Sequence, residues 1–543
     1  MLSLLAALFC CAGNAHAELK LAQLFSDHMV MQRDIPVPVW GWADPGEEIT
    51  VAIDGQSKTA KANEAGKWMV RLDPMKVGEP RSMKVSGKSN SLEVNDILLG
   101  EVWVCGGQSN MEWTVGNSKD GAKESADANN PQIRFFQAGN GPSPTQLMEK
   151  MDPKEYSATG NGAEIYCMWK PCTPESTKTF SAVAYYFARS LHQDLKVPIG
   201  LISNSVGATP IETWMSRDIL SSDPELKLVL EYWGKLDAHA ETPEGKEQLQ
   251  KVYATFDERE AAARKTGKHI WREGGYRHPL KRNEHATAMF NARVYPLLPY
   301  AIRGVIWYQG EANTSVAQEY RKMFPALIQD WRNQWGQGDI PFLFVQLAGW
   351  GGTPPASPVD NTWAELREAQ ALALKMKNTA MAVTIDIGDP ANMHAPNKQD
   401  VGARLALAAR ARVYGEDIIF SGPVFKDFKV EGDKIRISFD SVGGGLLARE
   451  GPLRSFAVAG EDRKFVWATA EIQGDTVVVF SEQVKQPVAV RYGWHNNPEC
   501  NLANAELLPA SPFRTDTWPG ITDNKGYKSR LSKPIAIEAP KVR

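Results

Sequence analysis

The sequence predicts an α/β domain built on a parallel sheet and set between two all-β regions. Three observations carry that reading. From about Asp96 to position 418, apolar strand-like runs alternate with amphipathic helical runs, the pattern of a parallel sheet covered by helices. Before Asp96 and after about Phe420, apolar and polar residues alternate with the two-residue period of half-buried strands. Turn signals break both flanking regions at short intervals, as in small β-sandwiches. A chain of 543 residues suits two to four such units.

Taken in order, residues 1–17 start with an apolar run and end in Ala15-His16-Ala17, the apolar region and small-residue cleavage site of an export signal. This predicts a secreted or periplasmic protein. No other run is long enough to span a bilayer. Residues 18–95 form the first β-sandwich. Ile49, Val51 and Ile53 alternate with polar residues, as do Trp68, Val70 and Leu72, and turns fall at Asp44-Pro45-Gly46 and Asp54-Gly55. His28 reads as a structural residue. Residues 96–418 form the α/β domain, with strands expected at 102–105, 133–136, 199–203, 305–308, 342–346 and 380–385. Helical spacing marks 180–195, 316–335, 363–377 and 398–413. Residues 215–290, rich in Glu, Lys, Arg and Trp, interrupt the alternation and read as a helical insertion beside the site or as a solvated excursion. Residues 419–543 form the second β region, with Ile435, Ile437 and Phe439 alternating.

Composition removes several function classes. A net charge of -3 offers no electrostatic footprint for nucleic acid or an anionic membrane. Past the export signal four cysteines remain. Cys167 and Cys172 would close a small disulfide loop in an oxidising compartment, and Cys105 reads as an inert core residue. No CxxC pair or HExxH motif signals a metal site.

Chemistry enters at the strand ends. Ligands in parallel sheets bind beyond the carboxyl ends of the strands, and four polar clusters follow predicted strands there. They are Gly107-Gln108-Ser109-Asn110, the run from Asn204 to Glu212, Gln309-Gly310-Glu311-Ala312-Asn313, and Asp386-Ile387-Gly388-Asp389 followed by His394. Ser109, just past a strand and two glycines, is placed as an exposed nucleophile. A serine hydroxyl needs a base to take its proton, and His394 is the histidine just past a strand of this domain. The oxygen that turns negative on attack needs fixed donors. The backbone N–H groups of Ser109 and Gly207 and a side-chain amide of Gln309 or Asn313 are the candidates. Glu311 reads as an ion-pair partner that holds its loop. Trp113, Trp214 and Trp350 are candidates for stacking on a sugar, although each reads more simply as packing.

Five segments resemble the sialate O-acetylesterase family of the SGNH hydrolase superfamily. They are the opening Leu24-Phe25-Ser26-Asp27-His28-Met29-Val30-Met31-Gln32-Arg33, the nucleophile block Gly106-Gly107-Gln108-Ser109-Asn110-Met111, and Trp307-Tyr308-Gln309-Gly310-Glu311-Ala312-Asn313. The His block at 386–398 and the closing Leu508-Pro509-Ala510-Ser511-Pro512-Phe513-Arg514-Thr515-Asp516 complete the set. The resemblance spans nearly the whole chain. It implies a flavodoxin-like three-layer catalytic domain flanked by β domains, and hydrolysis of O-acetyl esters on sialic acid without metal or cofactor. Two positions depart from the superfamily pattern. Ala391 stands where an Asp usually lies three residues before the catalytic His, and Ala395 stands where Pro usually follows it. The triad acid is therefore expected at Asp389, with Asp386 or a backbone carbonyl as alternatives. The same chemistry on acetylated xylan or another glycan, and a non-catalytic glycan-binding protein, are the competing functional readings.

Overall fold

The computed structural model describes residues 18–88, 90–152, 163–266, 283–353 and 355–537. The expected export signal lies outside them. The molecule is mixed α/β, with one large central sheet and several further β-sheets.

Along its main path the central sheet runs β3-β2-β4-β1-β5-β6-β7. The strands are β1 (Ser91–Gly107), β2 (Asn130–Gln137), β3 (Trp169–Cys172), β4 (Ile199–Ser205), β5 (Gly304–Tyr308), β6 (Phe342–Val345) and β7 (Thr379–Ala382). All neighbours are parallel except β3, which pairs antiparallel with β2 at the edge. The strand β3 has no counterpart in the sequence reading, because Trp169-Lys170-Pro171-Cys172 is short and contains Pro. The chain leaves β1 to place β4 on one side of it and β5 on the other, so the order reverses at β1. Such a reversal opens a crevice beyond the strand ends.

β1 is 17 residues long and serves two regions. Its first part pairs with Arg81–Ser86, residues 98–100 pair with Val30–Gln32, and residues 101–107 pair with β4 and β5. The change of sequence pattern at Asp96 coincides with a left-handed residue there, φ 54°. Ile49, Val51, Ile53, Trp68, Val70 and Leu72 all face the core, as their alternation predicts. His28 pairs with Asp96 at 2.6 Å, and Asp96 also pairs with Arg134, a structural role.

Five helices position the site: α1 (Ser109–Glu112), α2 (Ala182–Leu195), α3 (Ala317–Trp335), α4 (Thr362–Leu372) and α5 (Lys398–Arg412). Phe187 of α2 meets Trp103 of β1 edge to face, and Trp331 of α3 meets Trp307 of β5 in the same way. α5 lies close along α2 because Gly402 lacks a side chain: a Cβ there would sit 2.6 Å from the Phe187 nitrogen. α4 ends at Leu372, and a short 3-10 turn over Ala373–Lys375 completes the expected run. β7 stops at Ala382 instead of 385, where the Thr384 hydroxyl donates to Gln346 O at 2.6 Å and the chain turns into the His394 loop.

The insertion is helical over Arg217–Ser221, Pro224–Ala240 and Pro243–Thr266, and its last part, 267–282, lies outside the described residues. Towards the C-terminus, Val424–Glu431, Lys434–Asp440, Thr476–Phe480 and Thr469–Gln473 form one antiparallel sheet with a separate core that includes Ile435, Ile437 and Phe439. Cys167 and Cys172 are free thiols. Cys167 donates to Gly139 O, and Cys172 lies 3.3 Å from the Thr177 hydroxyl, so the conditional disulfide is not formed.

Candidate active site

β1 ends in a turn that only glycine permits. Gly107 has φ 141°, and a Cβ there would lie 2.1 Å from the carbonyl oxygen of Tyr308. The next residue, Gln108, donates its N–H to that carbonyl at 3.0 Å, and its side-chain oxygen accepts the N–H groups of Gly310 and Ala312. The first and third polar clusters are thereby tied together. Ser109 follows as the first residue of α1, with the Gln108 carbonyl accepting the N–H groups of Met111 and Glu112.

The structure brings Ser109 and His394 together. Nε2 of His394 lies 2.8 Å from Oγ of Ser109, across 285 residues of chain. The His394 backbone N–H donates to Asn392 Oδ1 at 2.9 Å, and its ring stacks on Trp113 at 4.7 Å between centroids. Trp113 thus covers the imidazole, and its indole N–H donates to Asn117 O. Burial, and after it the charge of Lys398, lowers His394 from its ordinary value to about 4. The ring stays neutral and able to accept a proton through the physiological range.

Asp389, the expected triad acid, instead accepts the Ala391 N–H at 2.9 Å. Asp386 is engaged elsewhere: Arg404 grips both its oxygens at 2.6 and 2.8 Å, and Arg449 adds a third contact at 2.7 Å. Burial pushes the Asp386 carboxyl up, but the two guanidinium groups outweigh it and hold it below the usual range. Among the described residues no backbone carbonyl takes its place. Among the described residues, no hydrogen bond engages Nδ1 of His394.

The donors expected for an oxyanion divide into two groups. Among the described residues, the N–H groups of Ser109 and Gly207 have no hydrogen-bond acceptor. The N–H of Val206 donates to Gly107 O and sets the Gly207 turn beside the strand end that carries Ser109. The amide of Gln309, fully buried, donates to Thr209 O at 3.2 Å and Asn313 Oδ1 at 2.8 Å, while its oxygen accepts the Tyr320 hydroxyl. Asn313 donates to Glu212 and accepts the Ile211 N–H at 2.9 Å. Gln309 and Asn313 therefore brace the second cluster against the third. Both amides are spent on protein partners.

Two residues that sequence reasoning left without a role complete the surroundings. Asn110 donates to Glu311 at 2.5 Å and to Met393 O at 3.2 Å, and Lys398 donates to Asn110 at 2.5 Å. Among the described residues Glu311 makes no ion pair, contrary to its expected role: it accepts the Asn110 amide, whose oxygen in turn accepts Lys398. A lysine in the first position of a helix, where the dipole disfavours a cation, was the available signal. Trp214 is fully buried, and Trp350 packs on Trp363. Among the described residues no cluster of His, Cys, Asp and Glu could hold a metal ion, and no helix is long and apolar enough to cross a membrane.

A parallel sheet with a serine–histidine pair at its strand ends defines a class, and comparison with known proteins identifies it as carbohydrate esterase. The family model for carbohydrate esterases described as sialic acid-specific acetylesterase matches residues 99–226 and 262–411. The chain is 30% identical to the sialate O-acetylesterase of Mus musculus, over 91% of this chain and 94% of that one. It is 29% identical to the Homo sapiens sialate O-acetylesterase, over 93% and 94%. A crystal structure of a carbohydrate acetylesterase from Xanthomonas citri is 37% identical, covers 92% of this chain and all of its own, and superposes with a TM-score of 0.76. The chain belongs to the sialic acid-specific acetylesterase family.

Proposed function

We propose that this protein removes O-acetyl groups from sialic acids, with Ser109 as nucleophile and His394 as base. The observation that carries the mechanism is the 2.8 Å contact between Ser109 Oγ and His394 Nε2. His394 takes the hydroxyl proton as Oγ attacks the acetyl carbonyl carbon. The carbonyl oxygen becomes an alkoxide facing the free N–H groups of Ser109 and Gly207. One such donor is worth about 3–4 kcal/mol to the transition state. The protonated imidazole then gives its proton to the departing sugar oxygen as the C–O bond breaks, which leaves acetyl-Ser109. Water, deprotonated by His394, attacks the acyl carbon, and acetate leaves with the serine restored.

The substrate follows from family membership and from the relatives named for it. Five of the six parallel strands, β4-β1-β5-β6-β7, stand in the flavodoxin-like 2-1-3-4-5 arrangement, with β2 added beside β4, and this supports a three-layer SGNH catalytic domain at 96–418. The separate C-terminal core and the N-terminal strands support flanking β domains at 18–95 and 419–543. The apolar start and Ala15-His16-Ala17 support export, with glycans outside the cytoplasm as substrate.

The decisive experiment measures acetate release from O-acetylated sialic acid and from acetylated xylan, with wild type and Ser109→Ala. Release from the sialic acid should exceed release from xylan, and S109A should lose at least ~10³-fold of the rate. Equal rates for the two proteins would end the serine mechanism. Preference for xylan would end the sialate assignment alone.

A further inference from the structure

Beside the nucleophile lies a buried pair of opposite charges that the hydrolysis steps leave without a task. Lys398 is only 1% exposed. Its ammonium donates to Asn110 Oδ1 at 2.5 Å and sits 5.3 Å from the centre of the Tyr308 ring. The other end of the same amide donates to Glu311 Oε1 at 2.5 Å and to Met393 O at 3.2 Å. Glu311 is 5% exposed, and its second oxygen has no hydrogen-bond partner. Burial pushes the Glu311 carboxyl up and the Lys398 ammonium down, so holding either charge here is costly. A neutral apolar pair would fill this space more cheaply.

The geometry says what the pair accomplishes. Asn110 immediately follows the nucleophile, and Met393 immediately precedes His394. The Asn110 amide is therefore the joint between the two halves of the reacting pair. It has no freedom to turn over: a flip would aim its NH2 at the ammonium, and its oxygen at a carboxylate and a carbonyl. Lys398 on one side and Glu311 on the other lock that orientation. Gly402, one turn further along α5, brings the helix against α2 and seats Lys398 in place. Meanwhile the His394 ring has no partner at Nδ1 among the described residues, so no carboxylate orients it.

We propose that Lys398 is a positioning residue of this esterase: through Asn110 it clamps the His394 loop to the nucleophile, the task a triad carboxylate performs in other serine hydrolases. This rests on the serine–histidine reading above. The elements around the ring carry Asp386 and Asp389 on its own loop, Glu112 on α1, Glu311 after β5, and Lys398, Asp400 and Arg404 on α5, with Arg404 paired to Asp386; of these charges Lys398 is the one that acts on the ring. After burial, the Lys398 charge is what depresses His394, and Lys398, lowered by burial to about 7 against the pull of Glu311, is fully protonated where His394 titrates.

The test compares Lys398→Met and Lys398→Arg with wild type, using p-nitrophenyl acetate, kcat and KM across the acid range, and circular dichroism for folding. K398M should lose about 10²-fold in kcat with KM little changed, the cost of a misplaced catalytic group. Its acid limb should move to higher pH, because the neighbouring charge is gone. K398R keeps the charge but cannot place a single ammonium on Asn110, so kcat should fall with the limb unmoved. Parental kcat in both variants would overturn the proposal. So would a fall in K398M kcat with no movement of its limb, which a merely structural role would produce. If K398M does not fold, K398R decides: reduced kcat with the limb kept supports the clamp, and parental kcat overturns it. S109A, run alongside, separates failure of the clamp from failure of the serine mechanism.

Discussion

In the proposed mechanism the Ser109–His394 pair depends on one distance and one protonation state. His394 must be neutral to accept the Ser109 proton, and its environment lowers its value from 6.5 to about 4. In the free enzyme, kcat/KM should therefore hold level as pH falls through 6 and drop only near about 4, measured as initial rates with p-nitrophenyl acetate. The sign for stability is the same. Between these values the unfolded chain binds more protons at this site than the folded chain, so the contribution of His394 weakens the fold as pH falls from 6.5 towards 4. Asp389 tests the missing triad acid. Because its carboxylate serves the Ala391 N–H, Asp389→Ala should cost far less in kcat than the about 10⁴-fold that follows disabling a triad carboxylate. A loss of that size would return Asp389 to the catalytic group.

At the scale of elements, the site is a set of strand-end loops fastened to one another. Gln108 ties the nucleophile turn to Gly310 and Ala312, and Gln309 with Asn313 ties the third cluster to Thr209, Ile211 and Glu212. Glu212 in turn accepts the Tyr527 hydroxyl from the C-terminal part of the chain. A strut and an oxyanion donor fail differently. Gln309→Ala should lower stability by about 1–3 kcal/mol in urea unfolding, because it leaves buried partners unpaired. A fall in kcat of about 10²–10³-fold without loss of stability would instead mark Gln309 as an oxyanion donor.

At the scale of the molecule, polar contacts join the central sheet to its neighbours. On the N-terminal side, fully buried Glu101 of β1 accepts Arg33 and Arg303, each at 2.5 Å. On the C-terminal side, Arg367 of α4 donates to the carbonyls of Leu347, Ala348, His495 and Asn496, and Asp386 receives Arg404 and Arg449. The Asp386 loop also carries His394, so this seam supports the site from behind. Asp386→Asn should cost about 3 kcal/mol or more, read as a lowered Tm, because two guanidinium groups lose their buried counter-ion. Asp386 is held below its ordinary range in the fold. Its stabilisation is therefore present above the unfolded carboxylate value and disappears as pH falls through the lowered folded one.

The sequence by itself determined which residues form strands and where the chemistry gathers, because both are local. Alternation of apolar residues marks a half-buried strand wherever it occurs, and a Gly-Gly-x-Ser after an apolar run marks a turn whatever surrounds it. Ser109 and His394 were legible as strand-end polar residues, and the fold brings them to 2.8 Å. Glu311 was expected as an ion-pair partner, and the structure gives it the Asn110 amide instead. Only the tertiary structure decided how the polar side chains spend their hydrogen bonds. Gln309 and Asn313 are used up as struts, Asp386 belongs to two arginines, Asp389 turns to its own loop, and Lys398 meets Asn110 across 288 residues. Each donor and acceptor satisfies whichever partner folding brings within about 3 Å, and that proximity is a property of the assembled sheet and helices, not of any segment read alone.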